Sequence, residues 1–193
     1  NKMTNKYEFL TKKPIMDNPV ETEYSEQSQS HMCMISPRLI EPSNYRIQQE
    51  EYSARIYKAM SMWLNNKGYF GAASLWAKYS EEELTHAAKF YDYLLKFGIQ
   101  PVVPFLEKPP QEFGGLLEIV KLSYEHEVEV YRQCKELAIA AFEEQDLMLY
   151  PLALQFTAEQ SEEIEKLQNW LDMFESFGTD PHVLMMIDEK MGQ

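Results

Sequence analysis

The chain lacks most of what would mark it as a membrane, secreted or nucleic-acid-binding protein. It has no run of about eighteen apolar residues, so nothing in it reads as a membrane span. Residues 1–30 contain no apolar stretch of the secretory-signal kind. Two cysteines, Cys33 and Cys134, are too few for a disulfide framework, and both fit a reducing, cytoplasmic setting. Glycine is scarce, at 7 residues, and strand-type alternation is weak, which points to an all-α chain. Basic residues are outnumbered: 18 Lys and Arg face 31 Asp and Glu, for a net charge of −13. That balance argues against nucleic acid as a partner and favours cations. At 193 residues the chain is one domain with room for a substantial core.

Residues 1–36 are polar and interrupted by Pro14 and Pro19, and read as an extended or flexible extension. From Pro37 onward the pattern becomes helical. A first helix is expected over 43–67, capped by Ser43 or Asn44, with Pro37 and Pro42 bracketing its entry. Gly68 and Gly71 mark a tight turn into a second helix over 70–97, which Gly98 ends. Residues 98–113 hold Pro101, Pro104, Pro109 and Pro110 and cannot be helical. A connection of that length can span the bundle and let the second and third helices run parallel. The third and fourth helices are expected over 114–143 and 147–176, joined by a short turn with Asp146 as a cap. A fifth short helix over 181–191 follows Asp180 as cap and Pro181 at its first position.

Each of the four long stripes is apolar except near its middle. The first carries Ile47, Glu50, Ala54, Tyr57, Ser61 and Leu64; the second Leu75, Tyr79, Glu83, His86, Phe90 and Tyr93. The third carries Val120, Tyr124, Glu127, Tyr131, Cys134 and Ala138; the fourth Leu152, Phe156, Glu159, Gln160, Glu163, Leu167 and Trp170. A lone glutamate near a seam is usually a boundary residue whose stem packs while its carboxylate reaches water. Four helices interrupted at the same height are a different matter, because an unpaired buried carboxylate is costly and a bound dication removes the cost. Glu83 and His86, spaced i and i+3, can offer an oxygen and an imidazole nitrogen to one ion. Carboxylates with one imidazole suit iron or manganese, and zinc could also enter. Ion binding is expected to weaken below the ordinary imidazole pKa of roughly 6.5.

The segments QQEEYSARIY (48–57), SEEELTH (80–86), YEHE (124–127), AEQSEE (158–163) and DPHVLMMIDEK (180–190), in this order, resemble the bacterial-type non-haem ferritins. The resemblance covers 37–193 and implies a ferritin-like four-helix bundle with one long crossover and a short fifth C-terminal helix. It implies that Glu50, Glu83, His86, Glu127 and Glu163 ligate a di-iron centre, with Glu83 bridging, Gln160 beside the second metal and Tyr57 next to the pair. Tyr57, Glu83 and His86 are then the residues acting in the reaction. A third iron position would use Glu82, Glu159 and Glu162 with Glu163. The resemblance further implies a homo-oligomeric cage of twenty-four subunits that oxidises Fe(II) with O2 or H2O2 and stores a ferric mineral. Two departures from relatives matter. Lys166 stands where a symmetric centre would have a second histidine, so one metal position is expected to be weaker. Leu84 stands where bacterioferritins have their haem-binding methionine, so no haem is expected by that mode.

Two other readings compete. One is a rubrerythrin-like di-iron oxidase or peroxidase without storage, disfavoured by the missing second histidine and the absence of a Cys-x-x-Cys iron site. The other is an acidic helical scaffold with no metal. Among the remaining residues, His126 is expected at a surface or interface, because it points about 100° away from Glu127. Cys134 is expected as a buried thiol, and Glu143, Glu144 and Asp146 as caps or a cation-attracting cluster. His31 and Cys33 are a weak candidate ligand pair. Val183, Leu184 and Ile187 are expected to need partner subunits to bury them.

Overall fold

The computed structural model describes residues 35–193. They form α1 (Pro37–Lys67), α2 (Phe70–Lys96), α3 (Leu116–Glu143), α4 (Leu149–Phe177) and α5 (Pro181–Met191), with no strand among the described residues. Ile35, expected in the extension, is buried in the core, while the character of residues 1–34 and the pairing of His31 with Cys33 lie outside the described residues.

The first helix begins at Pro37, not at residue 43. Ser36 caps it, its hydroxyl accepting from the Arg38 amide, and Pro37 takes the first position, where a missing N–H costs nothing. Pro42 therefore lies inside the helix and gives up one backbone bond. The turn survives because Leu39 and Ile40 are buried in the core, and their burial outweighs the proline penalty. Ser43 and Asn44, expected as caps, instead bond back to the carbonyls of Leu39 and Ile40, at 2.7 and 3.1 Å. At the far end Gly68 adopts φ 89°, closes α1 and starts the tight turn into α2.

Two apolar clusters fix the topology. One joins Met60 and Leu64 near the end of α1, Trp76 near the start of α2, Ile119 near the start of α3 and Phe174 near the end of α4. The other joins Leu39 and Ile47 near the start of α1, Phe90 and Leu94 on α2, Leu137 and Ala141 near the end of α3, and Leu149 and Ala153 near the start of α4. The starts of α2 and α3 thus lie at the same end, so these two helices run parallel. The connection between them must cross the bundle. It does so along α1: the Val102 amide donates to Asn44 Oδ1, Gln48 Nε2 to the Phe105 carbonyl, and Trp63 Nε1 to Glu112 Oε2. The path from Asn44 to Trp63 is about 28 Å of helix. The strap between residues 102 and 112 reaches about 33 Å when extended, which is enough.

The turn between α3 and α4 is built by its acids. Asp146 Oδ1 accepts from the amides of Met148 and Leu149, at 2.9 and 2.7 Å, so it caps α4 as expected. Glu144 accepts from Ser36 Oγ at 2.6 Å and ties the start of α1 to this turn. The last helix corrects one expectation in part. The chain itself buries Ile187 and Met191 against α2, while Val183 and Leu184 are covered only partly. Gly71 permits the approach, since a Cβ there would meet the Asp188 backbone. The side chain of Asp188 accepts from the Ala72 amide at 2.8 Å.

Candidate metal centre

Between the two apolar clusters lies a polar layer. Glu50 from α1, Glu83 from α2 and Glu127 from α3 are 0, 5 and 3% exposed. Ligand atoms of Glu50, Glu83 and His86 all lie within 4.8 Å of one another. His86 Nδ1 is 3.4 Å from Glu83 Oε2 and 3.8 Å from Glu50 Oε2, and its ring stands edge-on to Phe156. Beside this cluster opens a cleft of about 220 Å³, lined by Tyr57, Tyr79, Glu82, Glu83, His86, Lys89, Glu127, Glu159, Glu162, Glu163 and Leu167.

Glu50, Glu83 and His86 form the tight cluster, while Glu127, Glu163, Glu82, Glu159 and Glu162 line the adjoining cleft. Tyr57 donates its hydroxyl to Glu127 Oε1. Gln160 is fully buried but does not line the cleft. Two of the cleft-lining acids are held by cations: Glu163 by Lys166 at 2.6 Å and Glu159 by Lys89 at 3.3 Å. Glu159 Oε2 also lies 3.5 Å from His86 Nε2.

A metal ion fits the remaining valences. Glu50 Oε2, Glu127 Oε2 and both amide atoms of Gln160 are buried without a hydrogen-bond partner. Buried polar atoms are normally satisfied, so unmatched oxygens on three helices mark a place prepared for a positive guest. The donor set, oxygen-rich with one imidazole, suits a hard-to-borderline dication.

The ionisation of these groups follows from their burial and mutual proximity. Burial pushes the Glu83 carboxyl far up, with the charges of Glu50 and Glu127 adding to it. Burial likewise raises Glu127 to about 7, helped by Glu50 and Glu163 and opposed by the bond from Tyr57. Burial would raise Glu50 too, but the Arg46 guanidinium reverses this and holds its carboxyl below the usual range. Burial alone would lower His86, yet the Glu50 and Glu83 carboxylates beside its Nδ1 raise it to about 10. Proton competition at the centre therefore extends through neutral pH, and does not begin only near 6.5 as the isolated imidazole suggests.

The pattern of the sequence missed one residue and misread another. Arg46, four positions before Glu50 on α1, is buried and donates to Glu50 Oε1 and, at 2.5 Å, to Gln133 Oε1 on α3. The i, i+4 spacing was the available signal. His126 is not at a surface. It is 5% exposed, 2.7 Å from Ser53 Oγ, and edge-on to Tyr57, and burial lowers it to about 4. Rotation away from Glu127 carries it into the interface with α1, not into solvent. Cys134 is the buried thiol expected, its pKa pushed up to about 12 by burial.

Two antiparallel helix pairs joined by a crossover, with carboxylates and an imidazole converging in a polar middle layer, have the architecture of the carboxylate metal-binding helical bundles. The chain belongs to the ferritin family: the ferritin-like domain model matches residues 44–177. It is 30% identical over 159 residues to a bacterial non-heme ferritin-like protein of Haemophilus influenzae, covering 82% of this chain and 96% of that protein. It is 30% identical to the bacterial non-heme ferritin of Escherichia coli, with the same coverage. Among solved structures it is similar to the open pore ferritin of Archaeoglobus fulgidus, with a TM-score of 0.79 at 30% identity, over 82% of this chain and 97% of that one. No described helix is long and apolar enough to cross a membrane.

Proposed function

We propose that the chain is an iron-storage ferritin with ferroxidase activity. It oxidises Fe(II) to Fe(III) with O2 or H2O2 at a paired-iron centre and deposits ferric mineral inside a homo-oligomeric cage of the twenty-four-subunit type. The observation that carries this reading is the convergence of Glu50, Glu83, His86 and Glu127 from three helices, with buried oxygens left over, beside an acidic cleft. Family membership and the named ferritin relatives support iron as the ion. The acidic balance and a buried free thiol fit a cytoplasmic protein.

In this reading Glu50, Glu83 and His86 hold the first ion. Glu83 bridges to a second, which Glu127 and Glu163 hold with Gln160 nearby. Two Fe(II) ions held together can pass two electrons to one oxidant without releasing a one-electron product. Tyr57 fixes Glu127 through Oε1 and leaves Oε2 for the ion. His86 must give up its proton to ligate, so the centre exchanges protons for cations as it fills. Glu82, Glu159 and Glu162 at the cleft are suited to a third position, from which oxidised iron can leave.

Glu83→Ala is the direct test. Iron oxidation should fall to the uncatalysed rate, and crystals soaked anaerobically with Fe(II) should lose anomalous density at the centre. Solution mass and iron content, measured together, test storage. A protein that never holds more than two irons per chain, and that reduces peroxide with an electron donor, would be a rubrerythrin-like oxidase instead.

A further inference from the structure

Among the described residues Arg46 is the one arginine or lysine that is buried, at 1% exposure. It is not among the residues that line the cleft. Its Nη2 donates to Glu50 Oε1, and its Nη1 to Gln133 Oε1. Gln133 is held in turn, its Nε2 donating to Glu129 at 2.9 Å, and Glu129 also accepts from Arg132 at 2.5 Å. The guanidinium is thus braced from the surface inward and pressed on one oxygen of one ligand. Glu50 Oε2, the other oxygen, has no partner and faces His86.

Two consequences follow from a fixed positive charge at this place. Glu50 offers an ion chiefly Oε2, because the charge-assisted bond from Arg46 makes Oε1 the poorer donor. The ion held by Glu50, Glu83 and His86 then sits one carboxylate away from a permanent cation, and repulsion across such a short, poorly screened distance is strong. When no ion is bound, the same cation keeps Glu50 from being an unpaired buried charge. We infer that Arg46 is a resident counter-cation that positions Glu50 in the empty centre and lowers the affinity of the Glu50–Glu83–His86 position for a dication, so that iron is turned over and not retained. This rests on the metal-centre reading above.

The test uses the full chain and Co(II) alone, titrated without oxygen and followed by calorimetry and by the visible bands of the bound ion. Arg46→Gln removes the charge and keeps donor groups; Arg46→Lys keeps the charge. Arg46→Gln should bind the first Co(II) about tenfold more tightly or better, and Arg46→Lys should stay within about threefold of the parent. Equal or weaker binding by a folded Arg46→Gln protein overturns the inference. If Arg46→Gln folds only when Co(II) is present, the ion is replacing the guanidinium, and the inference stands. If it fails to fold with Co(II) as well, Arg46 is a packing residue and the inference is overturned. Glu83→Ala separates the two readings. A parent that binds Co(II) no better than Glu83→Ala sinks the centre itself, whereas binding lost in Glu83→Ala but unimproved in Arg46→Gln sinks only the role of Arg46.

Discussion

Tyr57 on α1 hands its hydroxyl hydrogen to Glu127 on α3, and this bond ties the two halves of the bundle together at the level of the carboxylates. Glu127 Oε2 has no partner, so the tyrosine is what satisfies this carboxyl in the ion-free protein. Tyr57→Phe should lower ion-free stability by about 1–3 kcal/mol, the cost of a stranded buried acceptor. Adding Zn(II) should recover part of that loss. Stopped-flow absorbance of ferric product should show slower oxidation. Thermal melts of the ion-free variant that match the parent would remove Tyr57 from this role.

Filling the centre should expel protons. His86 is raised to about 10 and Glu127 to about 7, so at pH 7 the histidine is protonated and Glu127 is about half protonated in the empty centre. The protonated forms compete with the ion, so apparent affinity for Zn(II) should climb as pH rises from 6 toward 9. Calorimetry at pH 7 in two buffers of different ionisation enthalpy reads the released protons directly. Heats that do not depend on the buffer would contradict the arrangement of His86 between two carboxyls.

His126 is shifted the other way from His86, and its titration bears on stability. Burial depresses its pKa from 6.5 to about 4. Its contribution is complete above pH 6.5 and is lost as pH falls through 4, because unfolding then gains a proton that the folded state refuses. The full effect is on the order of 3 kcal/mol. His126→Gln keeps a polar group against Ser53 without a titrating ring. The stability difference between parent and variant should shrink between pH 7 and pH 4.5, as read from ion-free denaturation curves. A difference that stays constant over that range refutes the buried neutral histidine.

Gly71 sets how closely α5 lies on α2. A methyl group there would meet the backbone of Asp188, which cannot yield like a flexible side chain. Gly71→Ala should cost about 1–3 kcal/mol and loosen α5. Amide exchange should speed up over residues 181–191 and leave α1 unchanged.

Lys166 lies one turn beyond Glu163 and pairs with it at 2.6 Å. Lys166→His removes that competing cation and supplies an imidazole at i+3, the spacing used by Glu83 and His86. The second Co(II) equivalent should bind about tenfold more tightly, since a competing charge is exchanged for a ligand. Retention of a single tight equivalent in the variant would place Glu163 outside the centre.

The interruptions of the four seams could be read without coordinates because helical periodicity alone assigns Glu50, Glu83, Glu127 and Glu163 to inward faces. The strap was legible for a similarly local reason: four prolines in 98–113 forbid a helix, and its length permits a crossing. The start of α1 was not legible. Pro42 argues locally for a boundary, and only the burial of Leu39 and Ile40 against other helices overrules it. His126 was misread for the same reason, since the angle around α3 says where a side chain points but not which helix it meets there.

Sequence by itself determined the all-α class, the heights at which acids enter the core and the crossover, because each depends on spacing or backbone chemistry within one segment. Tertiary structure decided which oxygens remain unpaired, that His126 is neutral against Ser53, and that Arg46 bears on Glu50 while Gln133 braces it. Those outcomes depend on helices far apart in the chain meeting in one poorly screened layer, where burial and neighbouring charge set every group's state together.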